Sequence, residues 1–122
     1  RALGLRLIGT AGSAEKCASA LALGADAAMD YATEDFAARV AELTKGQGVN
    51  AVLDMVGGDY LPRNLACLAD DGRHVSIAFQ RGIKAEVNVA DIMRRRLTLT
   101  GSTLRARDAT FKALLADEIY AN

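Results

Sequence analysis

The sequence has little of what several protein classes depend on: its 122 residues include one proline, one histidine, two cysteines and no tryptophan. Cys17 and Cys67 lie far apart and form no CxxC pair, which argues against a zinc motif or a disulfide framework and favours reduced, buried thiols. The 15 basic and 15 acidic side chains cancel, so the excess positive charge that nucleic-acid binding requires is missing. No apolar run approaches the roughly 20 residues that span a bilayer. We therefore expect a cytoplasmic protein that binds neither nucleic acid nor membranes.

Alanine and aliphatic side chains are abundant: 24 residues are alanine and 51% of the chain is apolar, enough for the core of one domain. Two hydrophobic periods alternate along the sequence, one typical of strands and one of helices. Strands are predicted over residues 5–10, 27–31, 49–56, 73–79 and 97–104. Helices are predicted over 14–23 and 89–95 and after caps at Thr33, Asp59 and Asp108, with a turn at Asp71-Gly72. This alternation predicts an α/β fold with a doubly wound parallel sheet.

The end of the first predicted strand carries the clearest candidate site, because ligands bind beyond the carboxyl ends of the strands in such sheets. Gly12, Ser13 and Lys16 combine a small residue, a hydroxyl and an ammonium group at a helix N-terminus, which suits an anion. A cation in the first turn of a helix is unfavourable unless a negative group lies nearby. Glu15 offers the alternative explanation, in which Ser13 only caps the helix and Lys16 is solvated. From the residues alone, both interpretations stay open.

The other strand ends give weaker signals. Gly57 and Gly58 follow the third predicted strand, where glycines allow a ligand to approach the backbone but also form ordinary turns. Phe79 ends the fourth predicted strand and Gln80 follows it, although Phe79 is equally typical of a loop anchor. Tyr31 ends the second predicted strand, and its phenol could reach a phosphate or remain a surface side chain.

Catalytic and nucleotide-binding motifs are not found. The single histidine, His74, lies within a predicted strand with no serine or cysteine motif near it, so we predict no nucleophilic triad. Neither GxGxxG nor GxxxxGK[ST] occurs in the sequence. The residues alone therefore assign no catalytic role.

Several stretches together resemble the zinc-free, medium-chain NADPH:quinone oxidoreductases of the zeta-crystallin-like type. They are LRLIGTAGSAEKCA from Leu5, ADAAMDYATED from Ala25, TKGQGVNAVLDMVGG from Thr44, NLACLADDGRHV from Asn64 and GSTLRARD from Gly101. The resemblance extends over essentially the whole chain, and the combination is specific although each piece is not.

The resemblance implies a Rossmann-type domain that binds NADP(H). It assigns Ser13 and Lys16, with Tyr31 beside them, to the 2′-phosphate, and Gly12 is predicted to bind the cofactor as well. It assigns the path of the ribose and pyrophosphate to Val56 and Gly57. The residues that it assigns to the nicotinamide end are Ala78, Phe79, Gln80 and Thr103. It supplies no catalytic acid or base and no metal ligand within this sequence.

The sequence departs from the family at its start. The family's first strand, its Gly-rich phosphate turn, most of its first helix and its GroES-like substrate domain have no counterpart in residues 1–122, which we interpret as a partial NADP(H)-binding domain. In the Rossmann strand order 3-2-1-4-5-6 the missing strand is central. We therefore expect two half-sheets separated by a gap, and a fragment that is unstable when it is made alone.

The function that these features predict is the NADPH-binding part of an oxidoreductase that transfers hydride to a quinone or another conjugated carbonyl. The alternatives are a zinc-type alcohol dehydrogenase or an enoyl reductase of the same superfamily, and a non-catalytic NADPH-binding or dimerisation module. A nucleotide-free α/β domain is weaker, since Ser13 and Lys16 would then be coincidental. The resemblance also implies a homodimer through the edge strand 97–104.

Overall fold

The computed structural model describes residues 4–121, in which strands and helices alternate. In chain order they are β1 Ile8–Ala11, α1 Ala14–Ala22, β2 Ala27–Asp30, α2 Phe36–Leu43, β3 Val49–Asp54, α3 Tyr60–Cys67, β4 Leu68–Ser76, α4 Val89–Arg94, β5 Thr98–Gly101 and α5 Ala109–Ala121. Every strand pair is parallel. Parallel neighbours need a crossover connection, and the intervening helices provide it. The predicted Rossmann-type α/β fold is confirmed.

The described strands form two separate sheets. One has the order β1-β2 and the other the order β3-β4-β5, so that β1 and β3 each pair on one side only within residues 4–121. The prediction of two half-sheets is confirmed. A parallel sheet is ordinarily buried on both faces, yet the Leu53 side chain in β3 is 66% exposed.

Packing between helices and strands, rather than a backbone ladder, joins the two half-sheets. One core cluster contains buried residues from β2, α2 and α3, namely Met29, Phe36, Val40, Tyr60 and Cys67. A second cluster of Leu65, Leu68 and Leu97 fixes α3 to the three-stranded sheet. Because the first cluster draws on both halves, it sets the position of one sheet edge relative to the other.

Both cysteines are free and buried, as the sequence predicts. Burial in apolar surroundings raises the pKa of the Cys67 thiol to about 11. This thiol therefore stays protonated at neutral pH, and a protonated thiol is a poor nucleophile.

The caps of two helices differ from the prediction. Thr33 does not cap α2, because its hydroxyl donates to the carbonyl of Asp30 within the turn after β2. That turn delays the helix, and Asp35 becomes the N-cap, its carboxylate accepting from the Ala37 N–H at 3.0 Å. Asp59 occupies the N-cap position of α3 but makes no capping hydrogen bond, since its carboxylate pairs with Arg81 at 3.5 Å.

The predicted turn at Asp71-Gly72 is wrong, because β4 begins at Leu68 and runs through both residues. The strand is nevertheless irregular at these residues, where it forms a bulge. Asp71 has a φ of 61°, and the register with β3 shifts between Val49 and Ala51. The Asp71 carboxylate and the Arg96 guanidinium form a two-bond ion pair at 2.6 and 2.8 Å, which lowers the pKa of Asp71 and holds the bulge.

Candidate cofactor-binding site

The predicted site residues all follow strands at the carboxyl edge of the two sheets. Ser13 takes an extended backbone conformation after β1 and caps α1, its hydroxyl oxygen accepting from the Lys16 N–H at 3.3 Å. The alternative interpretation, in which Ser13 only caps the helix and Lys16 is solvated, is therefore correct in its first half. Its other half, a solvated Lys16, agrees with the exposure of this residue, but the expected neutralisation by Glu15 is not observed, because within residues 4–121 the Lys16 ammonium pairs with no carboxylate. An exposed, unneutralised cation thus lies at the positive end of the α1 dipole.

Tyr31 lies directly against Gly12. The Tyr31 N–H donates to the Ala11 carbonyl at 3.0 Å, which extends the pairing of β1 and β2 by one residue. A Cβ atom at Gly12 would lie 2.6 Å from the Tyr31 hydroxyl oxygen, so the phenol occupies the space that a side chain would take. Gly12 therefore lies beside Tyr31, next to the residues Ser13 and Lys16 that are assigned to the 2′-phosphate.

Val56 and Gly57 form the turn after β3. Both backbone N–H groups donate to one oxygen of Asp54, at 2.7 and 3.1 Å. This capture ends the strand at Asp54 rather than at the predicted Val56. Gly57 has a φ of 67°, and a Cβ there would lie 2.7 Å from the Gly82 carbonyl oxygen. The position therefore requires glycine for both its conformation and its contact.

A groove of about 570 Å³ opens where β4 and β5 end. Its lining includes Ala78, Phe79 and Thr103, three of the four residues assigned to the nicotinamide end. The fourth, Gln80, is outside this lining, in the next loop position, where its N–H donates to the Met55 carbonyl at 3.3 Å. Arg107 supplies the charged side chain of the lining.

Tyr60 contacts both Tyr31 and the turn at Gly57, whose carbonyl accepts from the Tyr60 N–H at 3.1 Å, and no sequence motif singled it out. Its ring packs edge-on against Tyr31 at 6.2 Å between centroids and stacks on Phe36 at 5.5 Å. The Arg63 and Arg81 guanidinium groups each lie 5.3 Å from the Tyr60 centroid, within cation–π distance. Tyr60 is the first residue of α3 and belongs to no motif. Its aromatic side chain is the only sequence feature that could have indicated a role.

Arg63 is fixed from a second side by a carboxylate. Its guanidinium lies 4.2 Å from the Phe36 ring centroid and 3.3 Å from an Asp35 oxygen. The Ala37 N–H, and then Arg63, hold the pKa of Asp35 below its ordinary value. The cation is therefore partly neutralised before any ligand binds, unlike that of Lys16.

No group of three or more His, Cys, Asp or Glu side chains in residues 4–121 is arranged to hold a metal ion. No helix among the same residues is long and apolar enough to cross a membrane.

Comparisons with known proteins support the resemblance that the sequence suggests. The family described as zinc-binding dehydrogenase matches residues 1–119. Quinone oxidoreductase 1 of Escherichia coli is 43% identical over 89 residues, which make up 73% of this chain and 27% of that protein. A quinone oxidoreductase of Pseudomonas aeruginosa is 37% identical over 123 residues, covering 98% of this chain and 38% of that protein.

A solved structure agrees with these relatives. The crystal structure of E. coli quinone oxidoreductase complexed with NADPH matches with a TM-score of 0.84 and 36% identity, over 98% of this chain and 38% of that one. The chain thus spans between about a quarter and two fifths of the length of these relatives. It belongs to the zinc-binding dehydrogenase family, and the relatives it resembles there are quinone oxidoreductases.

Proposed function

We propose that the chain is the NADPH-binding part of an oxidoreductase that transfers hydride to a quinone or another conjugated carbonyl compound. The observation that carries the proposal is the unneutralised charge of Lys16 in the first turn of α1, the helix that Ser13 caps and that follows Gly12, against which the Tyr31 hydroxyl lies. The named activity of the relatives supplies the reaction class.

The chemistry of this corner of the site, formed by Gly12, Ser13, Lys16 and Tyr31, fits the 2′-phosphate of NADPH better than the free 2′-hydroxyl of NADH. Domains that bind NAD place a carboxylate at the equivalent strand end to accept from the 2′-hydroxyl. Here β1 ends at Ala11. The nearest carboxylate along β2, that of Asp30, already accepts from the Ala32 N–H at 2.9 Å. Lys16 and the helix N-terminus offer positive charge instead, which a phosphate would neutralise.

The rest of the edge would hold the remainder of the cofactor. The turn at Val56 and Gly57 gives a close-packed backbone surface for the ribose and pyrophosphate. The groove beside Phe79 and Thr103 gives a partly apolar surface for the nicotinamide. The bound cofactor supplies the hydride, and the chain positions it and excludes water. We assign no catalytic acid or base within this chain.

Fluorescence titration of the full-length protein with NADPH and NADH tests the proposal. We expect NADPH to bind at least about tenfold more tightly, since a charge-assisted bond to phosphate contributes about 1.5–3 kcal/mol. Oxidation of NADPH with a soluble quinone should then be measurable by absorbance. Equal binding of the two cofactors would contradict the proposal. Tight NADPH binding without turnover on quinones or enones would favour the non-catalytic module.

We further propose that a strand from elsewhere in the full-length protein completes the sheet between β1 and β3. Each of these strands pairs on one side only in the described structure, and the orders β2-β1 and β3-β4-β5 fit on either side of a central strand in the order 3-2-1-4-5-6. The GroES-like substrate domain would also lie outside residues 1–122. We expect calorimetry of residues 1–122 alone to show no cooperative unfolding transition, because unpaired strand edges favour aggregation. A sharp, reversible transition would contradict this proposal.

Two further expectations, on oligomeric state and on cellular location, extend the same proposal. All four residues of β5, the observed part of the strand predicted over 97–104, are exposed and pair with β4 alone within the described chain, which supports a homodimer formed through this edge strand. Light scattering of the full-length protein should give twice the chain mass, and a monomer would contradict the dimer. The two buried, free cysteines support a cytoplasmic location, where thiols stay reduced.

A further inference from the structure

Two polar side chains are almost completely buried beneath the candidate site. Asp54, the last residue of β3, is 3% exposed, and His74, in β4, is 1% exposed. They are diagonal neighbours on adjacent strands, since Asp54 pairs with Ser76 and His74 pairs with Val52. A buried carboxylate is costly unless hydrogen bonds satisfy it, so this placement needs a physical explanation.

Each oxygen of the Asp54 carboxylate has a separate role. One oxygen accepts from the N–H groups of Val56 and Gly57 at 2.7 and 3.1 Å. The other lies 3.2 Å from Nε2 of His74. His74 therefore fixes the rotation of the carboxylate, while the carboxylate fixes the turn.

That turn in turn holds a second loop. The Val56 carbonyl accepts from the Arg81 N–H at 2.8 Å. The Met55 carbonyl accepts from the Gln80 N–H at 3.3 Å. The loop after β4 is thus attached along the turn that Asp54 organises. The buried Asp54 carboxylate therefore supports both the turn after β3 and the loop after β4. The proposed path of the cofactor crosses these two segments between the ribose and the nicotinamide.

We infer that Asp54 is a positioning residue for the cofactor, held in orientation by His74. The inference rests on the proposed NADPH site, because it assigns to this pair the shape of the turn against which the ribose and pyrophosphate lie. Because Asp54 is only 3% exposed, it would act through the turn rather than by touching the cofactor. A purely structural role would affect folding stability alone, whereas a positioning role affects the affinity of the folded protein.

Two substitutions in the full-length protein separate these roles. Asp54→Ala removes the acceptor, and we expect NADPH to bind about tenfold more weakly or worse, as for a buried donor left without its partner. Asp54→Asn keeps an oxygen for the two N–H groups and turns an amide NH₂ toward His74, whose Nε2 can accept in the other tautomer. We expect this variant to remain within about threefold of the wild-type affinity.

Leu65→Ala is the matched control for stability. Leu65 is 7% exposed in the second core cluster, so its truncation lowers the melting temperature without touching the turn. At a temperature below the melting temperature of every variant, the Leu65→Ala protein should bind NADPH with the affinity of the wild type. Wild-type affinity in Asp54→Ala would overturn the inference, and so would an equal loss in Asp54→Ala and Leu65→Ala.

Hydrogen exchange without cofactor provides an independent readout. The Val56 and Gly57 amides should exchange faster in Asp54→Ala than in the wild type, and unchanged rates would overturn the inference. If the wild type bound no NADPH, the proposed function and the positioning role would fall together. If the wild type bound NADPH and Asp54→Ala bound it equally well, only the positioning role would fall.

Discussion

Replacement of Lys16 by alanine is expected to remove most of the preference for NADPH over NADH. A charge-assisted hydrogen bond contributes about 1.5–3 kcal/mol, which corresponds to a loss of roughly 10- to 150-fold in NADPH affinity. NADH has no 2′-phosphate, so its affinity should change by less than about twofold. Fluorescence titration of the full-length protein with both cofactors gives the two numbers directly.

Lys16 is a cleaner probe of this corner than Ser13. The Ser13 hydroxyl accepts from the Lys16 N–H and caps α1. Its removal would therefore destabilise the helix by about 0.5–2 kcal/mol with or without a ligand. The Lys16 ammonium pairs with no carboxylate within residues 4–121, so its removal breaks no ion pair in that part of the chain. Relief of the unfavourable cation at the helix start should even stabilise the free protein slightly.

Lys45→Ala is the matched control for the loss of one positive charge. Lys45 is exposed and precedes β3, so it lies toward the amino ends of the strands, away from the candidate site. Its loss should leave the preference intact, whereas added salt should weaken NADPH binding by the wild type more than by Lys16→Ala. A Lys16→Ala variant that still prefers NADPH as strongly as the wild type would contradict the phosphate site.

The order of elements could be predicted from sequence because its signals are local. Ser13 begins α1 as predicted, and the helices and strands follow one another in the predicted order, although β1 is Ile8–Ala11 rather than 5–10 and β5 is Thr98–Gly101 rather than 97–104. The errors lie where a side chain acts across a turn or between strands. Asp54 shortens β3 by capturing two amides beyond it. Asp71 is held within β4 by its N–H, which donates to the Arg95 carbonyl at 2.8 Å, and by the Arg96 side chain, 25 residues later in sequence.

The candidate site was predictable only in part for the same reason. Hydrophobic period and capping rules indicated a candidate anion site at Ser13 and Lys16, but they could not decide between a bound ligand and a solvated lysine. The family resemblance supplied that choice. Neither approach indicated that Tyr60 would pack between Tyr31 and Phe36, because such contacts depend on how the two half-sheets are placed.

The supporting structure behind the site predicts a large stability effect at Gly48. Gly48 has a φ of 78°, and a Cβ there would lie 2.5 Å from the Leu68 carbonyl oxygen and 2.6 Å from the Ala69 nitrogen. Both neighbours are backbone atoms at the start of β4, so neither can move without shifting the strand. Gly48→Ala therefore combines left-handed strain of about 1–2 kcal/mol with overpacking of about 1–3 kcal/mol.

Gly46 provides a nearly ideal control, because it has the same φ of 78° with nothing within 4 Å of a Cβ position. Gly46→Ala should therefore cost only the left-handed strain of about 1–2 kcal/mol, and the difference between the two variants isolates the contact with β4. Urea unfolding of the full-length protein should give Gly48→Ala the lower midpoint, by an amount that corresponds to about 1–3 kcal/mol. Since both glycines precede β3, opposite the candidate site, NADPH affinity of the folded protein should be unchanged in either variant. Equal midpoints would mean that β4 yields at Leu68, and that the start of this strand does not hold the rigid position that the contact requires.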